Sequence, residues 1–203
     1  MIALLRLIFK HGGVAVAGVL LASLVAVTVV GERLWRLLPL RAVFARQQAR
    51  CHEALLRTGA PAALAVLTDD DAMSRVLRAG LQQHGRGVDL VRIAATNAAQ
   101  REVPALERGL ALVAMAAQIA PWLGLLGTVL GLMEVFQSSA GATTVTNALV
   151  ASGIYQALGS TVAGLALAIV AYVAYGLLTG LCNQLVDQLE NAAADLPVLL
   201  RTP

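Results

Sequence analysis

The chain has 203 residues, of which 58% are hydrophobic and 13% are charged, whereas soluble domains carry about 25% charged residues. This composition excludes a disordered chain and argues against an ordinary soluble domain. The net charge of +3 and the aromatic content of 4% argue against a nucleic-acid partner. Cys51 and Cys182 have no metal-ligand spacing, and we expect neither a bound metal nor another cofactor.

The charged residues are concentrated in one segment. Residues 32–108 hold 12 arginines and eight acidic residues, which is 20 of the 27 charged residues of the chain. The long stretches without Asp, Glu, Lys or Arg are 12–31, 109–133 and 135–186. About 20 apolar residues cross a bilayer at 1.5 Å per residue, so the third stretch is too long for one crossing. We place a turn in the small, polar run 137–147, which leaves three membrane spans.

The predicted fold is all-α: a polytopic membrane protein with three transmembrane helices and a helical cytoplasmic insertion. Arginines favour the cytoplasmic side, which places the middle segment in the cytoplasm and the N-terminus outside. The apolar stretch after residue 11 exceeds the usual core of a signal peptide and is followed by arginines, which favours an uncleaved anchor. The predicted segments are an external N-terminal segment (1–11), transmembrane helix 1 (12–31), a cytoplasmic helical region (32–108), transmembrane helix 2 (109–136), an external loop (137–149), transmembrane helix 3 (150–182) and a cytoplasmic tail (183–203).

Three helices are predicted inside the cytoplasmic region. Apolar residues and arginines at helical spacing predict a helix over 34–57, ended by Gly59 and Pro61. Thr68 and the three aspartates after it are typical of a helix start, and this helix runs toward Gln83. We expect Asp89 to cap a further helix that continues directly into the second span, interrupted only at Pro104, which either kinks the helix or lies in a first turn.

The sequence shows no constellation of catalytic residues. His11, His52 and His84 are scattered, and the spans contain no pair of acidic residues for general acid and base. Asp69 to Asp71 lack the alternating ligands of a calcium loop, so we interpret them as charge at a helix start. We therefore do not expect an enzyme.

Two spans carry small and polar residues at helical spacing. Such stripes let helices approach closely, and their hydroxyls need partners inside the bilayer. One interpretation is packing alone; the other is that the two stripes form a wall around something polar. Glu134, near the outer end of the second span, is either solvated at the interface or part of an entrance. The stripe residues are Gly124, Thr128 and Gly131 in the second span, and Ser152, Gln156, Ser160 and Gly164 in the third, with Thr161 on its edge.

Two motifs give the chain a family resemblance. Residues 120–131 read APWLGLLGTVLG, and residues 153–165 read GIYQALGSTVAGL. Both are similar to motifs of the proton-channel subunits ExbB and TolQ, and the flagellar stator protein MotA is a more distant relative. The motifs cover about 25 residues, and the three-span layout covers the rest of the chain more loosely.

The resemblance implies a function in the bacterial inner membrane, with the external side facing the periplasm. It implies a homopentamer that encloses two single-span helices of an ExbD- or TolR-like partner. An aspartate of that partner would bind and release the proton, and Thr128 and Thr161 would line its path. The motor would energise TonB-dependent or Tol-type transport, with a TonB-like or TolA-like protein as a possible further partner.

The chain departs from the family pattern at three places. Gln156 stands where the pattern usually has glutamate, Val170 replaces a proline, and Tyr175-Gly176 replaces Tyr-Asn. These changes leave open a rewired pathway, a specialised paralogue or a different ion. Two other functions also remain open: a structural membrane scaffold without ion conduction, and a flagellar-stator-like channel subunit, which is disfavoured because such subunits usually have four spans.

Overall fold

The computed structural model describes residues 2–140 and 147–200. Within these ranges the chain is helical and has no strand, which confirms the all-α prediction. Three helices contain stretches long and apolar enough to cross a membrane, as predicted: Ala15–Thr58, Leu110–Gln137 and Val150–Leu199. The helices are α1 (Ile2–Thr58), α2 (Ala60–Val66), α3 (Ala72–Leu81), α4 (Val88–Glu107), α5 (Leu110–Ala140) and α6 (Asn147–Leu199).

The long helices run past the predicted ends of the spans. α1 continues without a break through the predicted start of the cytoplasmic region and has Pro39 in its interior. α5 continues to Ala140 and α6 begins at Asn147, so most of the predicted turn, residues 141–146, lies outside the described residues. A helix end is not a membrane boundary, and the bounds of the seven predicted segments therefore stay predictions.

Glycines rather than side chains define several breaks. α1 ends at Thr58, where Gly59 has φ +84°, as the Gly-Pro signal predicts. The prediction that Asp89 caps α4 is wrong, because Gly87 is the N-cap residue and Asp89 lies in the first turn. α4 does not continue into the second span either, because Gly109 adopts φ +84° between α4 and α5. Only glycine adopts this left-handed conformation at little cost, which is why the helix stops there.

The predicted cap before α3 is present, but it lies about one helical turn after Thr68, the first residue of the predicted helix start. Asp71 is the N-cap residue, and its carboxylate accepts hydrogen bonds from the Ser74 backbone N–H at 3.0 Å and from Ser74 Oγ at 2.8 Å. These bonds satisfy donors that lack a partner at a helix start. The short helix α2 has no capping side chain, and Pro61 in its first turn is the local signal for it.

The chain divides into two compact units. The first unit comprises Met1–Glu32 and Gly109–Leu177, and the second comprises Arg33–Arg108 and Leu178–Pro203. In the second unit the α1 side chains Leu37 and Phe44, Met73 of α3, and Leu185 and Leu189 of α6 are almost fully buried. The apolar core of this unit therefore includes residues from both ends of the sequence.

The ion pair between Arg75 and Glu102 joins α3 to α4 in the second unit. Arg75 donates to Glu102 through Nε and Nη2, both at 2.7 Å, and to the Asp70 carboxylate at 2.9 Å. These carboxylates raise the pKa of Arg75, and the hydrogen bond to Glu102 contributes most.

Replacing Arg75 with methionine should destabilise the second unit by about 2 kcal/mol, because Glu102, only 15% exposed, would keep its charge without a partner. Unfolding of the purified chain, followed by circular dichroism, measures this loss. The matched control is Arg57→Met, which breaks a pair with Glu53 whose side chains are 77% and 62% exposed. This control should cost less than about 0.5 kcal/mol, and equal losses would contradict the assignment.

Candidate functional site

The backbones of α5 and α6 touch at two glycines. A Cβ added at Gly164 would lie 2.5 Å from the Ala120 carbonyl oxygen and 3.0 Å from Gly124 Cα. One added at Gly124 would lie 2.9 Å from the Ser160 carbonyl oxygen. The two distances to carbonyl oxygens are shorter than real Cβ atoms show, so the two helices approach this closely only because both positions lack a side chain.

The close approach brings hydroxyl groups of α6 to a carbonyl of α5. Ser160 is buried, and its Oγ lies 2.7 Å from the Ala157 carbonyl oxygen and 3.0 Å from that of Gly124. Thr161 Oγ1 donates to the same Gly124 carbonyl at 3.1 Å. One α5 carbonyl therefore accepts from two α6 hydroxyls, which satisfies polar groups that lipid could not.

The two predicted threonines face each other at the edge of this contact. Thr128 Oγ1 and Thr161 Oγ1 are 3.4 Å apart, and both residues are half-buried. Thr128 donates its own proton to the Leu125 carbonyl at 2.6 Å. With both hydroxyl protons directed to carbonyls, the oxygen lone pairs can accept from an incoming acid or water. If either hydroxyl rotates, it can donate instead.

The three remaining predicted site residues differ in their surroundings. Gly131 packs on α6, where an added Cβ would lie 3.0 Å from Ala157 Cβ. Ser152 is exposed. The side chain of Gln156 lies outside the described residues, so its part in the site stays a prediction.

Gly127 is a contact residue that the spacing of the stripe missed. A Cβ there would lie 2.5 Å from Ser160 Oγ and 3.1 Å from Ala15 Cβ of α1. Three helices of the first unit thus meet at this glycine. The available signal was the second glycine of the GLLG run, three residues after Gly124 and therefore on nearly the same helical face.

The threonine pair has no acidic neighbour in the described part of its unit. Glu32 and Glu134 are the acidic residues of the first unit, and Glu134 is exposed, nearly two turns beyond Thr128. Among the described residues, no group of three or more His, Cys, Asp or Glu is placed to hold a metal ion. The site is thus built of hydroxyl and carbonyl groups.

Comparison with known proteins decides the family. Residues 68–191 match the sequence profile of the MotA/TolQ/ExbB proton channel family. The chain belongs to this family. It is 39% identical over 166 residues to the ExbB-like 3 biopolymer transport protein of Synechocystis sp., a match that covers 78% of this chain and 77% of the relative.

Two further relatives show the breadth of the family. The ExbB-like 1 biopolymer transport protein of Synechocystis sp. is 31% identical over 205 residues, covering 95% of this chain and 78% of the relative. The Tol-Pal system protein TolQ of Haemophilus influenzae is 36% identical over 103 residues, covering 51% of this chain and 45% of the relative. The predicted ExbB and TolQ resemblance is confirmed. Family membership and the three apolar helices together support a multi-pass membrane location.

Replacing Gly164 with alanine should destabilise the α5–α6 contact by about 1–3 kcal/mol, since the added methyl meets backbone atoms that cannot move aside. Unfolding of the detergent-solubilised chain by added sodium dodecyl sulfate, followed by circular dichroism, measures the change.

Gly159→Ala is the matched control in the same helix, because an added Cβ there meets nothing within 4 Å. This variant should be neutral, or stabilised by up to about 1 kcal/mol through helix propensity. If both variants behave alike, the backbone contact does not stabilise the unit.

Proposed function

We propose that the chain is an ExbB/TolQ-like subunit of an inner-membrane motor driven by the proton-motive force. With a single-span subunit of the ExbD/TolR type it would form a proton channel. The observation that carries the proposal is the pair of half-buried threonine hydroxyls 3.4 Å apart, in a unit whose described residues provide no acid beside them. Such a site can pass a proton to and from a carboxyl group but cannot itself titrate.

The partner's carboxyl group would complete the site. Its protonated form donates to a threonine oxygen, and its ionised form accepts from a rotated threonine hydroxyl. Thr128 and Thr161 would therefore contact the acid in both protonation states. One elementary charge that moves through 100 mV supplies about 2.3 kcal/mol, and several such steps could drive rotation or tilting of the partner helices.

The named relatives support two client systems. Relatives called ExbB are named for biopolymer transport, and those called TolQ for the Tol-Pal system. By analogy, the motor would act on a TonB-like or a TolA-like protein across the periplasm. The distribution of arginines supports a periplasmic N-terminus and a cytoplasmic C-terminus.

An exposed seam on α1 supports assembly of the chain into a homo-oligomer. The family resemblance implies that this oligomer is a pentamer. Its residues recur at alternating steps of four and three, the spacing at which one helix packs against another. Part of the seam lines a groove of about 540 Å³. Every member is exposed within this chain, which leaves the seam accessible to a second helix: Leu38, Ala42, Ala45, Ala49, His52 and Leu56.

Thr128→Ala and Thr161→Ala should each lower proton flux about tenfold or more, because the partner acid loses a hydrogen bond to its charged form. Flux is measured in vesicles that contain both subunits, with an imposed pH gradient and membrane potential. Serine at either position keeps the hydroxyl and should retain most of the flux.

Thr28→Ala is the matched control for a span threonine outside the site. Thr28 is exposed on α1, and its hydroxyl donates to the Leu24 carbonyl of its own helix at 2.7 Å. This variant should conduct like the unmodified protein. Undiminished flux in both site variants would refute the proposed path.

Native mass spectrometry of the complex extracted in mild detergent should show five copies of the 21.1 kDa chain with a smaller co-purifying subunit. That subunit should have one apolar span containing a lone aspartate. If the chain is recovered alone and the vesicles do not conduct, the structural scaffold becomes the better interpretation.

A further inference from the structure

A polar groove lies between α3 and α4 in the second unit. Its volume is about 260 Å³, and its lining combines three alanines with four polar residues. The small alanine side chains leave room for the groove, and the polar side chains give the groove hydrogen-bonding groups. The four polar residues are Gln82, Gln83, Asn97 and Arg101.

The polar groups of this groove are available for a ligand. The side chains of Gln82, Asn97 and Arg101 have no hydrogen bond or ion pair within the described part of the chain. Gln83 Oε1 accepts from Arg86 Nη1 at 3.4 Å, which leaves the Gln83 amide N–H groups free to donate. Arg86 also places a second positive charge beside the groove.

The lining of the groove contains no acidic residue. Glu102 follows Arg101 in sequence, but Arg75 holds both of its carboxylate oxygens at 2.7 Å. The positions three and four residues from Arg101 along α4 are Asn97, Ala98, Pro104 and Ala105, none of them acidic. The charge of Arg101 is therefore uncompensated on its own helix.

We propose that this groove binds an extended, acidic peptide segment of a partner protein. Amide side chains both donate and accept, as the N–H and C=O groups of an extended backbone require. Arg101 would pair with a carboxylate of the segment through its planar guanidinium. This contact would tether a partner to the second unit, and it does not depend on proton conduction.

Other occupants fit the groove less well. A phosphate dianion offers only acceptors, so it would bind the amide N–H groups of the exposed Gln82 and Asn97 and leave their oxygens to water. A helix is about 10–12 Å across with its side chains and has already paired its backbone groups, so it could not use the amides in this way. An extended segment uses both the donors and the acceptors of the amides.

Fluorescence polarisation with the detergent-solubilised full chain tests the proposal. The probe is a fluorescein-labelled, twelve-residue peptide of alternating glutamate and serine, and a lysine and serine peptide of equal length is the comparison. The acidic peptide should bind, and the basic one should not. Arg101→Gln should weaken binding about tenfold or more, and Asn97→Ala should weaken it to a smaller extent.

Arg92→Gln is the matched control, since Arg92 is exposed on the same helix, carries the same charge and does not line the groove. It should change the affinity less than twofold.

Equal weakening by both arginine variants, binding of both peptides, or no binding of the acidic peptide would overturn the proposal. A change of oligomer mass in Arg101→Gln, without a change in peptide affinity, would assign the groove to a second copy of the chain instead. Loss of flux in the threonine variants with peptide binding retained would separate this groove from the proton path.

Discussion

The contact between the α5 and α6 backbones at Gly124 and Gly164 is the constraint on which the candidate site depends. Lipid is as apolar as the side chains it would replace, so helices in a membrane gain little from burying apolar surface against each other. Close packing and interhelical hydrogen bonds must hold them together, and each such bond is worth only about 0.6 kcal/mol on average. Without side chains at these glycines, the Gly124 carbonyl comes within reach of Ser160 and Thr161. A methyl group at either position would separate the helices and remove these bonds together.

The same contact explains how a polar site exists in this unit without a buried charge. A fixed aspartate at the centre of a span costs about 2.5–3.5 kcal/mol on insertion scales. Hydroxyls avoid that cost because Thr128 and Thr161 direct their protons to carbonyls of α5 while their oxygens still accept. The hydroxyls must stay in place, whereas the group that changes charge must move. Placing the titrating group on a second chain meets both requirements. The wall keeps its geometry, and the group that changes charge is free to move.

Composition and charge spacing were sufficient to predict the three apolar helices and the all-α fold, because the bilayer requires long charge-free segments. Helical spacing also identified residues that share a face, such as Gly124 and Thr128. It could not identify which α6 residues they meet, since that depends on the angle and offset between the helices. Thr161, on the edge of its stripe, lies with its Oγ1 3.4 Å from that of Thr128, whereas Ser152, the first residue of the stripe, is exposed. The break at Gly109, which depends on backbone conformation, was harder to foresee than the cap made by the Asp71 side chain.

Arg33 shows that a charge that determines topology can also stabilise the fold. In the sequence it belongs to the arginines that follow the first apolar stretch, where a positive charge fixes orientation. In the second unit it is only 6% exposed, and its Nη1 donates to the Ala105 carbonyl at 3.4 Å. The last four carbonyls of a helix lack intrahelical partners, and a cation near them is favoured by the helix dipole. α4 ends two residues later at Glu107, before the left-handed Gly109. Exchange of Arg33 for a neutral residue would therefore remove a positive flank of the first span and also remove this donor from the Ala105 carbonyl, so the two effects cannot be separated by mutating this residue alone.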